Sequence, residues 1–245
     1  MRAIEMIADP RNRRSELELL ELHARTLFTH DAAGRLVAIN EPRARQAPRF
    51  FLAWGARGAI WRVRHDLPPA LVTRLGELVS TDSGTDDRER WPACVPAVRA
   101  ALAEHAPVDD GHEGGPAYCF PDAIEERAGA IAVTAENAHV LQRWLPEWLP
   151  DVSAQLPIMT VLVEGAAVAV CACSRVPGEA TEAGVETHAA FRGHGYAAIV
   201  TAAWARAMRN RGVMPLYSTD WRNLASQRVA AKLNLLRYGA SLSIE

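Results

Sequence analysis

Apolar and polar positions follow two different periods along this chain, and the switches between them mark its elements. Ser15 with Glu18 three residues later forms a capping-box pattern, and Leu17, Leu19, Leu20 and Leu22 follow, which predicts a helix from about Glu16. RTLFTHD and RLVAIN flank a turn at Ala32 to Gly34, and RFFLAWG and GAIWRVRH flank Arg57, so two hairpins are predicted. DLPPALVTRLGELV then starts a helix with Asp66 placed to cap it and the prolines in its first turn. WPACVPAVRAALAEH is helical and lies between two polar, Gly- and Asp-rich breaks, Thr81 to Arg90 and Ala106 to Pro116.

Beyond the second break, GPAYCF predicts a strand and ENAHVLQRWL an amphipathic helix ended by Pro146. The densest strand signal comes next. PIMTVLVEG turns at Glu164 and Gly165 into AVAVCACSR, an antiparallel hairpin, and EAGVET follows a short PGE turn. After the loop FRGHG, the residues Tyr196, Ile199, Val200, Ala203, Trp204, Ala207 and Met208 recur at helical spacing, ending near Gly212. MPLYST predicts one more strand, and Asn223 opens the helix NLASQRVAAKL. The division expected is an N-terminal α+β domain over 1–110 and a second domain over 111–245.

Composition narrows the partners. With 27 basic and 29 acidic residues, scattered rather than striped, the footprint of a nucleic-acid binder is missing. The longest strongly apolar stretch, near Ala166 to Cys173, is far too short to span a bilayer, and MRAIEMIADPRNRR carries charges inside its weakly apolar run, unlike a signal peptide. A cytoplasmic protein is expected. Lys232 is the sole lysine in an alanine-heavy chain, as in the proteins of GC-rich bacterial genomes. Cys94, Cys119, Cys171 and Cys173 read as buried thiols, and no histidine or cysteine pair completes a metal site around Cys171 and Cys173. His30, Asp31, His65 and Asp66 read as turn and cap residues.

The glycine loop carries the chemistry. A loop that opens a helix exposes unpaired N–H groups at the positive end of the helix dipole, and glycines let a phosphate approach them. Arg192 adds a fixed positive charge. Two folds could own such a loop. The dinucleotide fingerprint G-x-G-x-x-A is present at Gly193, Gly195 and Ala198, with Asp220 some way downstream. That fold needs an apolar strand running straight into the first glycine, whereas the polar THAA intervenes here, and the upstream hairpin is antiparallel. No Gly-Lys-Ser/Thr follows, which excludes a nucleotide triphosphate loop.

The other pattern is Arg-x-x-Gly-x-Ala at Arg192, Gly195 and Ala197, behind three sequential strands and ahead of MPLYST and the Asn223 helix. With these residues the chain resembles the GNAT superfamily of acyl-CoA-dependent N-acyltransferases, over Pro157 to Ser241. The resemblance implies an α/β fold of the α+β type: a mixed, mostly antiparallel sheet flanked by helices, here preceded by a smaller α+β domain. It implies acetyl-CoA as cosubstrate, no metal, and an amine acceptor in a direct ternary-complex transfer. Small amines, amino acids, antibiotics and protein amines all fit as acceptors, a homodimer is compatible, and neither nucleic acid nor membrane is implied. The coenzyme would lie on Val185, Glu186, Thr187, Arg192, Gly193, His194, Gly195, Tyr196, Ala197, Asn223 and Ser226.

Three departures stand out. Ala230 sits where many members have the tyrosine that acts as acid toward the leaving thiolate, Asn234-Leu235 replaces a usual Gly-Phe, and Ala189 replaces a common proline. The resemblance further implies that the strand from Gly184 to Thr187 parts from Leu216 to Thr219 and leaves its backbone groups open. Alternation puts Glu182 and Glu186 on one face of that strand, and a carboxylate is suited to accept the proton an attacking amine must lose. Glu186 is the first candidate base and Glu182 the second. Tyr217, Ser218 and Tyr238 are candidate acids, with Tyr217 foremost. His194 could contact a phosphate and His188 could lie near the cleft, although loop histidines are more often exposed. A non-catalytic acyl-CoA sensor is the competing reading, to which Ala230 lends weight.

Overall fold

The computed structural model describes residues 14–80, 91–108, 113–153 and 156–245. The Thr81 to Arg90 break and most of the N-terminal MRAIEMIADPRNRR lie outside the described residues. Helix α1 (Glu16–Leu27) starts on the expected capping box: Ser15 Oγ accepts the Glu18 N–H, and the Glu18 carboxylate accepts the Ser15 N–H at 2.6 Å. The first hairpin is β1 (Phe28–His30) and β2 (Leu36–Ile39), turned by Asp31, whose Oδ1 accepts the N–H groups of Ala33 and Arg35. The second is β3 (Phe50–Gly55) and β4 (Gly58–Val63). Helix α2 (Pro69–Ser80) begins three residues later than Asp66. Asp66 is not its cap, because its carboxylate is taken by the Arg64 guanidinium at 2.8 Å, and Pro69 opens the helix with φ already fixed. Helix α3 (Val95–His105) then packs on α2.

The second part runs β5 (Glu113–Cys119), β6 (Ala130–Val133), β7 (Ile158–Val163), β8 (Ala166–Cys173), β9 (Ala180–Thr187), α4 (Tyr196–Asn210), β10 (Met214–Ser218), α5 (Leu224–Lys232) and β11 (Leu236–Ile244). Between β6 and β7 the expected amphipathic helix is replaced by the 3-10 turn Ala138–Leu141, and a second 3-10 turn, Pro146–Asp151, begins at the expected stop, Pro146. Asn137 holds the chain in a turn by bonding both the Thr134 N–H and the Ala132 carbonyl, and only eight residues separate it from Pro146. So short a run repays little of the cost of nucleating an α-helix. Val140, Leu141 and Leu145, all buried, set its path instead. The β7–β8 turn is the left-handed pair expected, with Glu164 at φ 48 and Gly165 at φ 77. Asn234 takes φ 52 after α5, as its place at the end of that helix requires.

Nine strands form one sheet in the order β4-β3-β11-β5-β10-β9-β8-β7-β6, antiparallel except for the β9–β10 pair. The division expected near residue 110 falls between α3 and β5, and the sheet is continuous across it, since β11 pairs with β3 on one edge and β5 on the other. Alternate residues of β9 sort the two faces. Ala183 and Val185 pack with α4 and its Trp204, whereas Ala180 lies in the cluster built on Leu20, Leu22 and Ala24 of α1. The inner face of α4 is Ala198, Val200, Thr201, Trp204, Ala205 and Met208, rotated slightly from the stripe the spacing predicts.

A polar cluster is sealed between α1 and the sheet. His23 Nδ1 lies 2.5 Å from the Tyr238 hydroxyl and 3.9 Å from Glu182 Oε1, and Ser241 Oγ lies 3.4 Å from its Nε2. Burial holds the His23 imidazole below its usual titration range, opposed by the charge of Glu182 and aided by Arg175. The unfolded chain takes up this proton as pH falls through about 6.5, and the native state does not. Stability from this group is therefore whole above that pH and is lost as pH falls through the lower native value. The urea midpoint is expected to drop between pH 7 and pH 5, and His23→Gln to flatten that slope. His30, also lowered by burial, keeps a residual slope of the same sign in the variant. A wild-type slope unchanged by His23→Gln would remove His23 from this role.

Candidate active site

Strands β9 and β10 pair over three rungs only, Met214↔Ala180, Pro215↔Thr181 and Leu216↔Glu182. Past the last rung they part. Ala183 to Thr187 stay paired to β8 on the other edge, and Leu216 to Ser218 stay paired to β5. Each strand therefore turns an open backbone edge toward the gap, as the family resemblance implied. The β10–α5 connection crosses hard against β5, with the Thr219 N–H on the Pro116 carbonyl and the Trp221 N–H on the Gly114 carbonyl. Gly115 permits this: a Cβ there would stand 2.0 Å from the Thr219 carbonyl oxygen.

A cavity of about 580 Å³ occupies the fork, a size suited to a ligand larger than a single acyl group. Val185, Glu186 and Thr187 form one wall, and Arg192, Gly193, Gly195, Tyr196 and Ala197 form its mouth. Tyr217, Asn223 and Ser226 form the wall opposite. Gly193 and Gly195 have φ 86 and 85, a left-handed backbone that favours glycine, and open space lies where each Cβ would be. Gly195 precedes α4 with no side chain capping it; its carbonyl accepts the Ala198 and Ile199 N–H groups, which leaves the Tyr196 and Ala197 amides with no helix carbonyl a turn earlier. Arg192 lies at the mouth, with Nε on the Thr187 carbonyl at 3.3 Å.

Three of the named residues stand elsewhere: His194, Glu182 and the candidate acid Tyr238, which is buried against His23 and does not line the cavity. His194 is exposed, stacks on Tyr196 and directs Nδ1 toward the Phe191 and Arg192 carbonyls, outside the cavity lining. Glu182 is 4% exposed and belongs to the His23 cluster behind the last paired rung, where its Oε1 has no hydrogen-bond partner. His188 packs on Trp144 with ring centroids 4.7 Å apart, beside the cavity wall at Phe191. Arg228 and Lys232 were not singled out from sequence, yet both line the cavity. Their spacing of four on α5 puts them on one face, and that is the signal that could have found them. With Arg192 they bring three cations against one lining carboxylate, Glu186.

Tyr217 is 2% exposed, and its hydroxyl lies 2.6 Å from Ser226 Oγ. Burial pushes the phenol up to about 12, against the opposing hydrogen bond from Ser226. Ala230 is buried on the inner face of α5. Asn223 lines the cavity while its Oδ1 caps α5 by accepting the Ser226 N–H. Asp220 accepts from Arg222 and is not part of the lining, so the dinucleotide pattern finds no acid at its ribose position. All four cysteines are buried and free. Burial raises Cys119 to about 11 and lifts Cys171 and Cys173 as well, so these stay as thiols and are poor nucleophiles. Among the described residues no group of three His, Cys, Asp or Glu side chains is arranged to hold a metal, and no helix is long and apolar enough to cross a membrane.

A parted parallel strand pair, a glycine loop on a helix N-terminus and a mostly antiparallel sheet flanked by helices match the fold of GNAT acetyltransferases. Residues 159–237 match the family model described as GNAT acetyltransferase. Among solved structures, an acetyltransferase of the GNAT family from Novosphingobium aromaticivorans is 17% identical over 56% of this chain and 66% of that one, with a TM-score of 0.47. A GNAT-family acetyltransferase from Colwellia psychrerythraea is 13% identical over 76% of each chain, TM-score 0.46. A tandem GNAT protein from the clavulanic acid biosynthesis pathway is 15% identical over 92% of this chain and 86% of that one, TM-score 0.45. No curated protein matches the sequence.

Proposed function

We propose that the chain transfers an acetyl or similar acyl group from its CoA thioester to a primary amine, by direct attack in a ternary complex. The observation that carries this reading is the cavity at the β9–β10 fork, with open strand edges on its walls and a bare helix N-terminus and three cations around it. The residues fit the coenzyme: Gly193, Gly195 and the first amides of α4 offer N–H donors to a diphosphate, and Arg192, Arg228 and Lys232 offer positive charge. An acyl-CoA thioester supplies an activated acyl carbon and a thiol leaving group.

The roles of the chain's own groups follow. The open N–H groups of β9 polarise the thioester carbonyl as charge builds on its oxygen. Glu186 accepts the proton that the amine nitrogen loses as its lone pair forms the new C–N bond. The C–S bond breaks and the sulfur leaves as thiolate. Tyr217 faces this step, but a phenol near 12 is a weaker acid than a thiol near 8.5, so it stabilises the thiolate by donating a hydrogen bond and keeps its proton. Solvent then protonates the sulfur. Tyr217→Phe is accordingly expected to lower kcat about ten- to 150-fold, as loss of one hydrogen bond to a charged group does. A loss beyond about 1,000-fold, measured as thiol release, would make Tyr217 a true proton donor.

Ala230 favours a second reading, a sensor that binds acyl-CoA without turnover. Thiol release from acetyl-CoA over a panel of small amines, amino acids, aminoglycosides and peptides separates the two. Amine-dependent release supports transfer; acetyl-CoA binding with no release for any amine supports the sensor. Stabilisation by NAD(P) but not by CoA in a thermal-shift assay would overturn both.

A further inference from the structure

Glu186 is the carboxylate that lines the cavity, and it is the exposed position of β9. A glutamate in that setting samples several rotamers and holds no single geometry unless something fixes it. In this chain something does. The indole Nε1 of Trp148 donates to Glu186 Oε2 at 2.7 Å.

Trp148 is held by a firmly built segment. It sits in the 3-10 turn Pro146–Asp151, between Pro146 and Pro150, whose rings fix φ on either side. Its own N–H donates to the Leu145 carbonyl at 3.2 Å. Leu145, fully buried, and Val152 anchor that turn in the cluster that includes Ile158, Val170 and Ala172 of the sheet. The indole thus comes from a segment tied to β7 and β8, the strands that also carry β9. An indole N–H can donate but never accept. It therefore occupies one carboxylate oxygen without competing for a proton, and leaves Oε1 to take one.

We propose that Trp148 is a positioning residue for Glu186: it locks the carboxylate in one rotamer with Oε2 engaged, so that Oε1 is the atom that receives the amine proton. The inference rests on Glu186 being the base. It also gives the 3-10 turn Pro146–Asp151 a direct part in the reaction.

A double-mutant cycle tests it. Trp148→Phe keeps most of the ring and its packing but deletes the N–H. With acetyl-CoA and the panel amine of fastest turnover, Trp148→Phe is expected to lower kcat about ten-fold in the wild-type background and less than two-fold in the Glu186→Gln background. CoA affinity and thermal midpoint stay unchanged. Equal losses in both backgrounds, or no loss in the wild type, overturn the positioning role. Full turnover in Glu186→Gln alone overturns the base reading on which it rests. A measurement free of any acceptor decides the contact separately: the Trp148 indole N–H resonance of the ligand-free protein is expected to move upfield in Glu186→Ala. An unmoved resonance means the hydrogen bond is absent in solution, and the proposal falls.

Discussion

Gly195→Asp is expected to weaken CoA binding by at least about 100-fold, measured by calorimetry with CoA itself. Gly195 lies at the mouth of the fork cavity with φ 85 and open space beyond its Cα, so a new side chain would enter the volume a diphosphate needs. Like charges about 4 Å apart near a protein surface repel by roughly 4 kcal/mol, and a factor of 100 needs only about 2.7 kcal/mol. The fold is expected to survive, because aspartate tolerates the left-handed region better than most residues and an acid at a helix N-terminus opposes the macrodipole favourably. Gly195→Ala is the control. It carries the strain without the charge and is expected to cost less than ten-fold. Unchanged affinity in Gly195→Asp would take the loop out of the binding site.

Glu186→Gln is expected to lower kcat for amine-dependent thiol release about 100-fold or more, with the CoA dissociation constant unchanged. The amide keeps the size of the side chain and can still accept the Trp148 N–H through its carbonyl oxygen, so geometry is preserved while proton acceptance is lost. General-base contributions are typically 100- to 10,000-fold, which sets the scale. A loss that appears in the acyl-CoA dissociation constant instead would mean that Glu186 shapes the cavity and moves no proton. Glu182 stands differently. It is sealed with His23 and Tyr238 behind the last paired rung of β9 and β10, so its access to an amine would need the α1 face to open.

Most of the local structure was legible in the sequence. The Ser15–Glu18 box, the Glu164-Gly165 turn, the Asn223 cap and Gly212 after α4 are each decided by residues within a turn of one another, so their chemistry is written side by side. Where the structure departs from these patterns, the cause is competition from a distance. Asp66 was drawn from the cap of α2 by Arg64, and ENAHVLQRWL was drawn out of a helix by the burial of Leu141 and Leu145. β6, whose four residues are mostly exposed or half-buried, gives too weak an alternation to read.

The candidate site divided in the same way. The loop residues and the open stretch of β9 form one contiguous run, and a pattern of arginine and glycines could point to them. Arg228 and Lys232 join that run only because α5 folds back over the fork. The Glu186–Trp148 contact spans 38 residues and depends on where the 3-10 turn is anchored.

By itself, then, the sequence determined most of the elements, the glycine loop ahead of α4 and the family that loop resembles, since periodicity, capping and glycine placement act over a few neighbouring residues. Tertiary structure alone decided that β3 and β4 extend the same sheet through β11, that β9 and β10 part after Glu182, and that the two glutamates of β9 meet opposite surroundings. The physical reason is that strand pairing and burial are set by partners far away in the chain, and the alternation within a single strand states which residues share a face without stating what that face will meet.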